Sequence, residues 1–352
     1  MCGFAGVVYN NTYSKDHLTD VTSRMLASIE HRGPDSSGIW SNEKLGVVLG
    51  HRRLSIIDLS ENANQPMQSK STRFVISYNG EVYNFRELKK ELDEANYGAW
   101  HGESDTEVIL AAIEYWGIER AVSKFIGMFC FALWDNEKEL LHIVRDRMGI
   151  KPVYWAVQNG NFIFASELKS LMAFEKWNAE IDKNSLALFM KYKYVPCPAT
   201  IFKNVHQLEA ATILTFDKNK NIKKNKYWAL DEIARHGVEQ SNNKTKYSDN
   251  EIFELINSSV KYRLVSDVPI GAFLSGGIDS SVIVALMQEN SISPINTFSI
   301  GFSMDSYDEA IHSKKLAQHL NTNHTEYILE PKDAIDIIPL LPQVYDEPFS
   351  DS

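Results

Sequence analysis

The chain has 352 residues, enough for about two domains. Its 44% hydrophobic and 23% charged residues are ordinary for a soluble globular protein and exclude disordered, collagen-like and disulfide-scaffold classes. A net charge of −10, from 36 basic and 46 acidic side chains, argues against a protein built to grip a phosphate backbone. No nucleic-acid partner is expected, although a single nucleotide is compatible. No apolar run approaches the ~20 residues of a membrane span, so no membrane partner is expected either. Cys2, Cys130 and Cys197 are too few and too odd in number for a disulfide framework. Cys130 and Cys197 read as small buried hydrophobes. No Cys pair or His-Glu-x-x-His has metal-ligand spacing. The first residues lack the basic stretch and cleavage site of a signal peptide, which leaves the cytoplasm as the expected compartment.

In chain order, residues 1–9 form a β-rich start and Leu18 to Glu30 a helix. Short β-like runs follow at Gly46–Gly50, Phe74–Tyr78, Met128–Trp134, Leu140–Val144, Val153–Ala156 and Phe162–Ala165. Turn signals at Gly33-Pro34, Asn79-Gly80, Asp135-Asn136 and Asn159-Gly160 separate them. Helices are predicted over Phe85–Ala95 and Thr106–Tyr115, and Ser104 with Glu107 has capping-box spacing. This mixture predicts an α+β layered domain, two antiparallel sheets with flanking helices, over residues 1–210.

Residues 217–227 carry five lysines and read as a solvated hairpin turn rather than an anion patch. A hairpin and linker are assigned to 211–247, with 235–248 polar and without periodicity. From there the pattern alternates: helix Asn250–Leu264, strand Pro269–Leu274, helix Ser280–Glu289, strand Asn296–Phe302 and helix Asp308–Leu320. That order predicts a doubly wound parallel sheet over 248–352, incomplete at its end.

Two segments carry chemistry. Ser275-Gly276-Gly277-Ile278-Asp279-Ser280 follows an apolar strand and opens a helix. Two glycines let backbone N–H groups converge at a helix N-terminus, where a phosphate or pyrophosphate fits. Asp279 beside such a nest suits a Mg²⁺ ion bridging phosphates. A ligand-free Ser/Gly turn is the competing reading. The second segment is the terminus. Cys2 directly follows Met1, and removal of Met1 would place a free α-amine on a thiol-bearing residue. That pairs a nucleophile with a base, as acyl transfer requires. An incidental cysteine at a frayed end is the alternative. Asn79 and Gly80 could supply an oxyanion hole, or form a type I′ hairpin turn. Arg53 suits a substrate carboxylate and Asp105 an ammonium group, though either could be a surface charge.

These residues lie within a longer series. MCGFAGVV at the start, HRGPDSSG (31–38), HRRLSIID (51–58), YNGEVYNFRELKKEL (78–92), SDTEVIL (104–110), GMFCFALWD (127–135), RDRMGIKPVYW (145–155), FASELKSL (164–171), VSDVPIGAFLSGGIDSS (265–281), FSIGF (298–302) and YDEPFSDS (345–352) occur in order. The series resembles the glutamine-hydrolysing asparagine synthetase family, class II amidotransferases with an N-terminal nucleophile. The resemblance implies that Cys2 is the glutaminase nucleophile and that Asn79 and Gly80 form the oxyanion hole. It implies glutamine binding by Arg53, Leu54, Ser55, Ile56, Ile57, Asn79, Gly80, Glu81 and Asp105. It also implies ATP binding by Leu274, Ser275, Gly276, Gly277, Asp279, Ser280 and Ile300, with Mg²⁺ at Asp279.

The implied reaction adenylates a carboxylate with ATP, most simply aspartate, and amidates it with glutamine-derived ammonia carried inside the protein. A related enzyme amidating a sugar acid, and a fragment that only hydrolyses glutamine, share every motif present; a non-enzymatic sensor is a further alternative. A homodimer is possible. Two departures stand out. Residues 206–211, His-Gln-Leu-Glu-Ala-Ala, replace a Pro-Pro-Gly turn. The family's next loop, Ser-Gly-x-Gly-x-Asp-Glu, lies past Ser352, so the chain is expected to be part of a longer one. Asp346, Glu347 and Asp351 do not stand in for that loop's carboxylates.

Overall fold

Side chains that alternate along extended strands build the first unit. The structure, a computed structural model, describes residues 1–98, 100–178, 180–241, 247–302 and 310–350. Strand β1 (Gly3–Val8) is followed by α1 (Lys15–Ala27), β2 (Ser36–Asn42), β3 (Val47–Arg53), β4 (Met67–Gln68) and β5 (Phe74–Val82). Then come α2 (Phe85–Glu94), α3 (Asp105–Trp116), α4 (Ile118–Lys124), β6 (Gly127–Asp135), β7 (Leu140–Arg145), β8 (Tyr154–Gln158) and β9 (Asn161–Ala165). Helices α5 (Leu168–Met172) and α6 (Lys183–Tyr192) precede β10 (Val205–Gln207), β11 (Thr212–Phe216) and β12 (Ile222–Lys226).

One six-stranded sheet has the order β10-β8-β9-β1-β3-β2, the other β12-β11-β7-β6-β5-β4. Their inner faces share one core. Phe4, Leu49, Phe162 and Phe164 come from the first sheet, and Val75, Cys130, Ala132, Trp134 and Leu214 from the second. Full burial of each Phe, Leu or Val among them contributes about 1.5–3 kcal/mol. Ala5, Val7 and Val48 face the opposite way, onto Leu18, Val21 and Met25 of α1. Helix α3 lies against β5. The result is the layered α+β arrangement, helices outside two antiparallel sheets.

The second unit, Gly237–Val344, begins within α7 (Leu230–Ser241) and holds its last turn, then α8 (Asp249–Arg263), β13 (Gly271–Phe273), α9 (Ile278–Glu289), β14 (Asn296–Phe302), α10 (Ala310–Leu320), β15 (Asn323–Leu329), α11 (Pro331–Ile337) and α12 (Leu341–Val344). Its three strands pair in parallel in the order β13-β14-β15. Val260, Leu274, Val284, Leu286 and Ala317 form its core. Residues 345–350 group with the first unit. There Asp346 Oδ2 accepts from Lys169 N at 2.8 Å and Glu347 Oε2 from Ile201 N at 3.0 Å. Among the described residues no helix is long and apolar enough to cross a membrane.

Local turn chemistry is as expected at Asn159-Gly160, both at positive φ between β8 and β9. The lysine run is a hairpin with its turn at 217–221, and Lys223, Lys224 and Lys226 lie on the exposed edge strand β12. Lysines on an open edge deter pairing with other strands.

Several expectations need correction. Helix α1 starts at Lys15, capped by Ser14, because its polar first turn shows no apolar periodicity. Residues 235–241 are the end of α7 rather than linker, and 242–246 lie outside the described residues. Cys197 is exposed, not buried. No capping box forms at α3. Ser104 Oγ accepts from Thr106 N, while the Glu107 carboxylate turns back to His101 N and Gly102 N at 2.9 and 3.0 Å. Strand β13 is shorter than the predicted run, and of the helix predicted from Asp308 only Ala310 onward is described. Strand β2 was hidden by its Ser- and Gly-rich, half-exposed sequence.

Candidate active site

Strand alternation decides where Cys2 points. Phe4 faces the space between the sheets, so the residue two positions earlier faces the same way. Its thiol rests on the end of β3: Sγ accepts from Leu54 N at 3.4 Å and donates to Leu54 O at 3.5 Å. Burial pushes this thiol up, and the Leu54 backbone contact opposes that. Arg32 fixes the backbone from below, its Nε donating to Cys2 O at 2.9 Å and its Nη1 to Glu167 Oε1 at 2.7 Å.

Asn79 approaches from the other sheet. Asn79-Gly80 is not a hairpin turn; β5 runs on to Val82, with Asn79 opposite Cys130 and Gly80 opposite Phe129. Asn79 shares the inward face of β5 with Val75. It is 1% exposed, and neither its Nδ2 nor its Oδ1 has a hydrogen-bond partner among the described residues. A buried primary amide left without partners is costly, on the order of 1–3 kcal/mol per group. Gly80 has φ +150°, and a Cβ there would run into Met128 O and come within 2.6 Å of Phe129 Cα.

Asp105, the first residue of α3, is buried; burial raises its carboxyl pKa against hydrogen bonds, from Val82 N and Tyr78 Oη first, that lower it. Its Oδ2 accepts from Tyr78 Oη at 2.7 Å and from Val82 N at 3.0 Å. Gln65 locks the same strand, accepting from Tyr78 N at 2.7 Å and donating to Thr106 Oγ1 at 3.2 Å. Arg53 spends part of its fork on its own loop: Nη1 donates to Ser60 O and Asn64 Oδ1 at 2.8 and 3.1 Å, and Nη2 to Asp58 O. A guanidinium has five N–H groups, so two remain for a ligand.

These side chains line one cavity of about 460 Å³. Met1, Cys2, Arg53, Leu54, Ile56, Ile57, Asn79, Gly80, Glu81 and Asp105 all reach it. Ser55 does not; its N–H donates to Asp35 Oδ2 at 2.8 Å. Further lining residues had no site role assigned from sequence, among them Gln65, Tyr78, Thr106 and Lys151.

In the second unit, the predicted loop joins β13 to α9. Leu274 N donates to Phe298 O at 2.8 Å, and the chain then turns through Gly276 at φ +79°. Ser275 Oγ and Ser280 Oγ lie 2.9 Å apart, and Gly277 is the N-cap of α9. A Cβ on Gly276 would come within 2.9 Å of His312 Cβ. Asp279 stands exposed in the first turn of α9. Ile300 lies near the C-terminal end of β14, the edge at which open parallel sheets take ligands. Among the described residues no three His, Cys, Asp or Glu side chains group to hold a metal by themselves. Asp279, a lone exposed carboxylate in the first turn of α9, would fit a Mg²⁺ whose other donors are phosphate oxygens.

A glutamine amidotransferase domain family model matches residues 1–228, and an asparagine synthase family model matches 251–352. A putative glutamine-hydrolysing asparagine synthetase of Methanocaldococcus jannaschii is 36% identical across 100% of this chain and 69% of its own length. The chain belongs to the glutamine-hydrolysing asparagine synthetase family. Glutamine-hydrolysing asparagine synthetase 1 of Bacillus subtilis is also 36% identical over 100% of the chain, and asparagine synthetase 3 of the same organism 32% over 96%. The chain spans about half the length of these two relatives, 54% and 55%. A solved glutamine phosphoribosylpyrophosphate amidotransferase from B. subtilis shares the fold, with a TM-score of 0.51 at 13% identity over 95% of this chain and 92% of that one.

Within this family member, the residues missed by sequence reasoning sit in segments that were visible but carried no role. Tyr78 precedes Asn79 in the same motif, and Lys151 ends RDRMGIK. Their importance lies in contacts 27 and 150 residues away along the chain.

Proposed function

We propose that this chain hydrolyses glutamine at Cys2 and belongs to an ATP-dependent synthetase that amidates aspartate to asparagine, releasing AMP, pyrophosphate and glutamate. The carrying observation is convergence: the Cys2 thiol, the partnerless Asn79 amide and the buried Asp105 carboxylate line one cavity. The Arg53 donors take the glutamine carboxylate and Asp105 its ammonium. The Cys2 sulfur attacks the side-chain amide carbon as its proton passes to the Cys2 α-amine exposed by Met1 removal. Asn79 Nδ2–H and Gly80 N–H carry the charge that builds on the oxygen. The amine then protonates the leaving nitrogen, and water hydrolyses the thioester.

Leu274 to Ser280 and Ile300 form the ATP side, with phosphates on the helix N-terminus of α9. Asp279 would hold Mg²⁺, which supplies charge neutralisation at the phosphates. Aspartate is favoured as acceptor by the names of the relatives, which are asparagine synthetases.

The test has two arms. Cys2→Ala should abolish glutamate release from glutamine and labelling by a glutamine-like electrophile. In the full-length protein it should leave ammonia-dependent AMP formation with aspartate intact. Hydrolysis surviving in Cys2→Ala would refute the glutaminase reading; AMP formation with a sugar acid but not aspartate would refute the acceptor.

A further inference from the structure

One buried cation in the cavity has no structural employment. Lys151 is 4% exposed, and among the described residues the hydrogen bond its Nζ makes is to the Met1 thioether, 3.0 Å away. A thioether is a weak acceptor and does not offset the desolvation of an ammonium group. Nor can the side chain swing out freely, because its backbone is clamped. Asp146, fully buried, accepts from Phe129 N, Met148 N, Ile150 N and Lys151 N at 3.2, 3.1, 3.0 and 3.0 Å. Arg145 Nε donates to Lys151 O at 2.9 Å and Nη2 to Gly149 O at 2.6 Å. Seven residues of chain are thus organised to hold one poorly paired charge against the N-terminus.

We propose that Lys151 is a positioning residue whose buried ammonium keeps the α-amine exposed on Cys2 by Met1 removal unprotonated near neutral pH. The inference rests on the glutaminase reading above. Met1 Sδ lies 3.0 Å from Lys151 Nζ, and Cys2 and Lys151 line the same cavity, so Met1 removal clears the space between that ammonium and the new amine. Arg32 flanks the same residue through Cys2 O. A protonated amine would be a third cation beside Arg53 and Lys151, with Glu81 and Asp105 the two carboxylates of the same lining. The groups facing the α-amine at Met1, one residue away, are Arg32 and Lys151, which disfavour its charge, and Cys2 and Asp35, which favour it. Glu81 and Asp146 bear on Lys151, and Asp105 and Arg53 on the thiol. Burial, the largest influence, already lowers the amine at the present terminus. A neutral amine can take the thiol proton as the S–C bond forms. The neighbouring cations then make the resulting ammonium acidic enough to hand that proton to the departing nitrogen as the C–N bond breaks, giving ammonia.

The experiment is the pH dependence of kcat/KM for glutamine hydrolysis by the full chain after Met1 removal, in wild type, Lys151→Met, Lys151→Gln and Lys151→Arg. Loss of the cation should move the acid limb up by about one pH unit, roughly a tenfold loss below the limb, and Lys151→Arg should leave it within about 0.3 unit. An unmoved limb in Lys151→Met and Lys151→Gln, whatever their kcat, overturns the proposal. So does loss of the fold in both, which would make Lys151 structural. Cys2→Ala in the wild-type background separates this failure from failure of the glutaminase reading, since only the latter leaves hydrolysis in that variant.

Discussion

Replacing Asn79 by alanine should separate activity from stability in opposite directions. In a structural asparagine the amide is satisfied and its removal destabilises. Here Nδ2 and Oδ1 are both buried and both lack partners among the described residues. Each orphaned group costs about 1–3 kcal/mol, so truncation removes a penalty. Water entering the cavity offsets part of that penalty, and the atoms lost reduce packing. The net expectation is between no change and about 2 kcal/mol of added stability. For a domain of this size that is a rise in Tm of roughly 0–8 °C, at about 2–4 °C per kcal/mol. Activity should move the other way. Loss of one oxyanion donor costs about 100- to 1000-fold in kcat, or about 2.7–4 kcal/mol. Steady-state glutamate release and thermal unfolding on the same preparation read both quantities. Loss of more than about 2 kcal/mol of stability, or hydrolysis within threefold of wild type, would refute the assignment of Asn79.

Three further outcomes follow from the same geometry. Gly80→Ala should disrupt β5–β6 pairing as well as hydrolysis, because its Cβ meets backbone atoms of Met128 and Phe129 that cannot turn aside; unchanged unfolding with full activity would contradict this. Gly276→Ala should weaken ATP binding at least tenfold by calorimetry in the full-length protein, since the turn requires φ +79° and the new methyl crowds His312; unchanged affinity would count against the loop as the phosphate site. Burial pushes Glu347 up from 4.5 to about 7. The raised value means its protonated form is favoured when folded, so its contribution is full below pH 4.5 and fades as pH rises through about 7. Glu347→Gln should flatten that part of the stability profile. A profile identical to wild type between those limits would show that the segment at 345–350 is not docked through this carboxyl.

Much of the architecture was legible because it is written in short-range pattern. The two-residue alternation of Phe4, Leu49, Phe162 and Phe164 marks strands of a shared core, and Asn159-Gly160 marks a tight hairpin. The Ser275–Ser280 loop declares itself by strand, glycines and helix in sequence. Capping was less legible. Ser104 and Glu107 have the right spacing, yet Glu107 finds nearer N–H donors at His101 and Gly102. A side chain chooses among all donors in reach, and spacing counts only those on its own helix.

The sequence alone therefore determined most element types, the layered order of the first unit and which residue types are candidates for the chemistry. It could do so because backbone periodicity and residue type are local properties. Only the tertiary structure decided what those residues are free to do. It committed three of the Arg53 hydrogen bonds to the loop at 58–64, left the Asn79 amide without a partner among the described residues and sealed Lys151 against the N-terminus. Those outcomes depend on burial and on contacts between segments far apart in the chain, where dielectric and competing partners are set by packing.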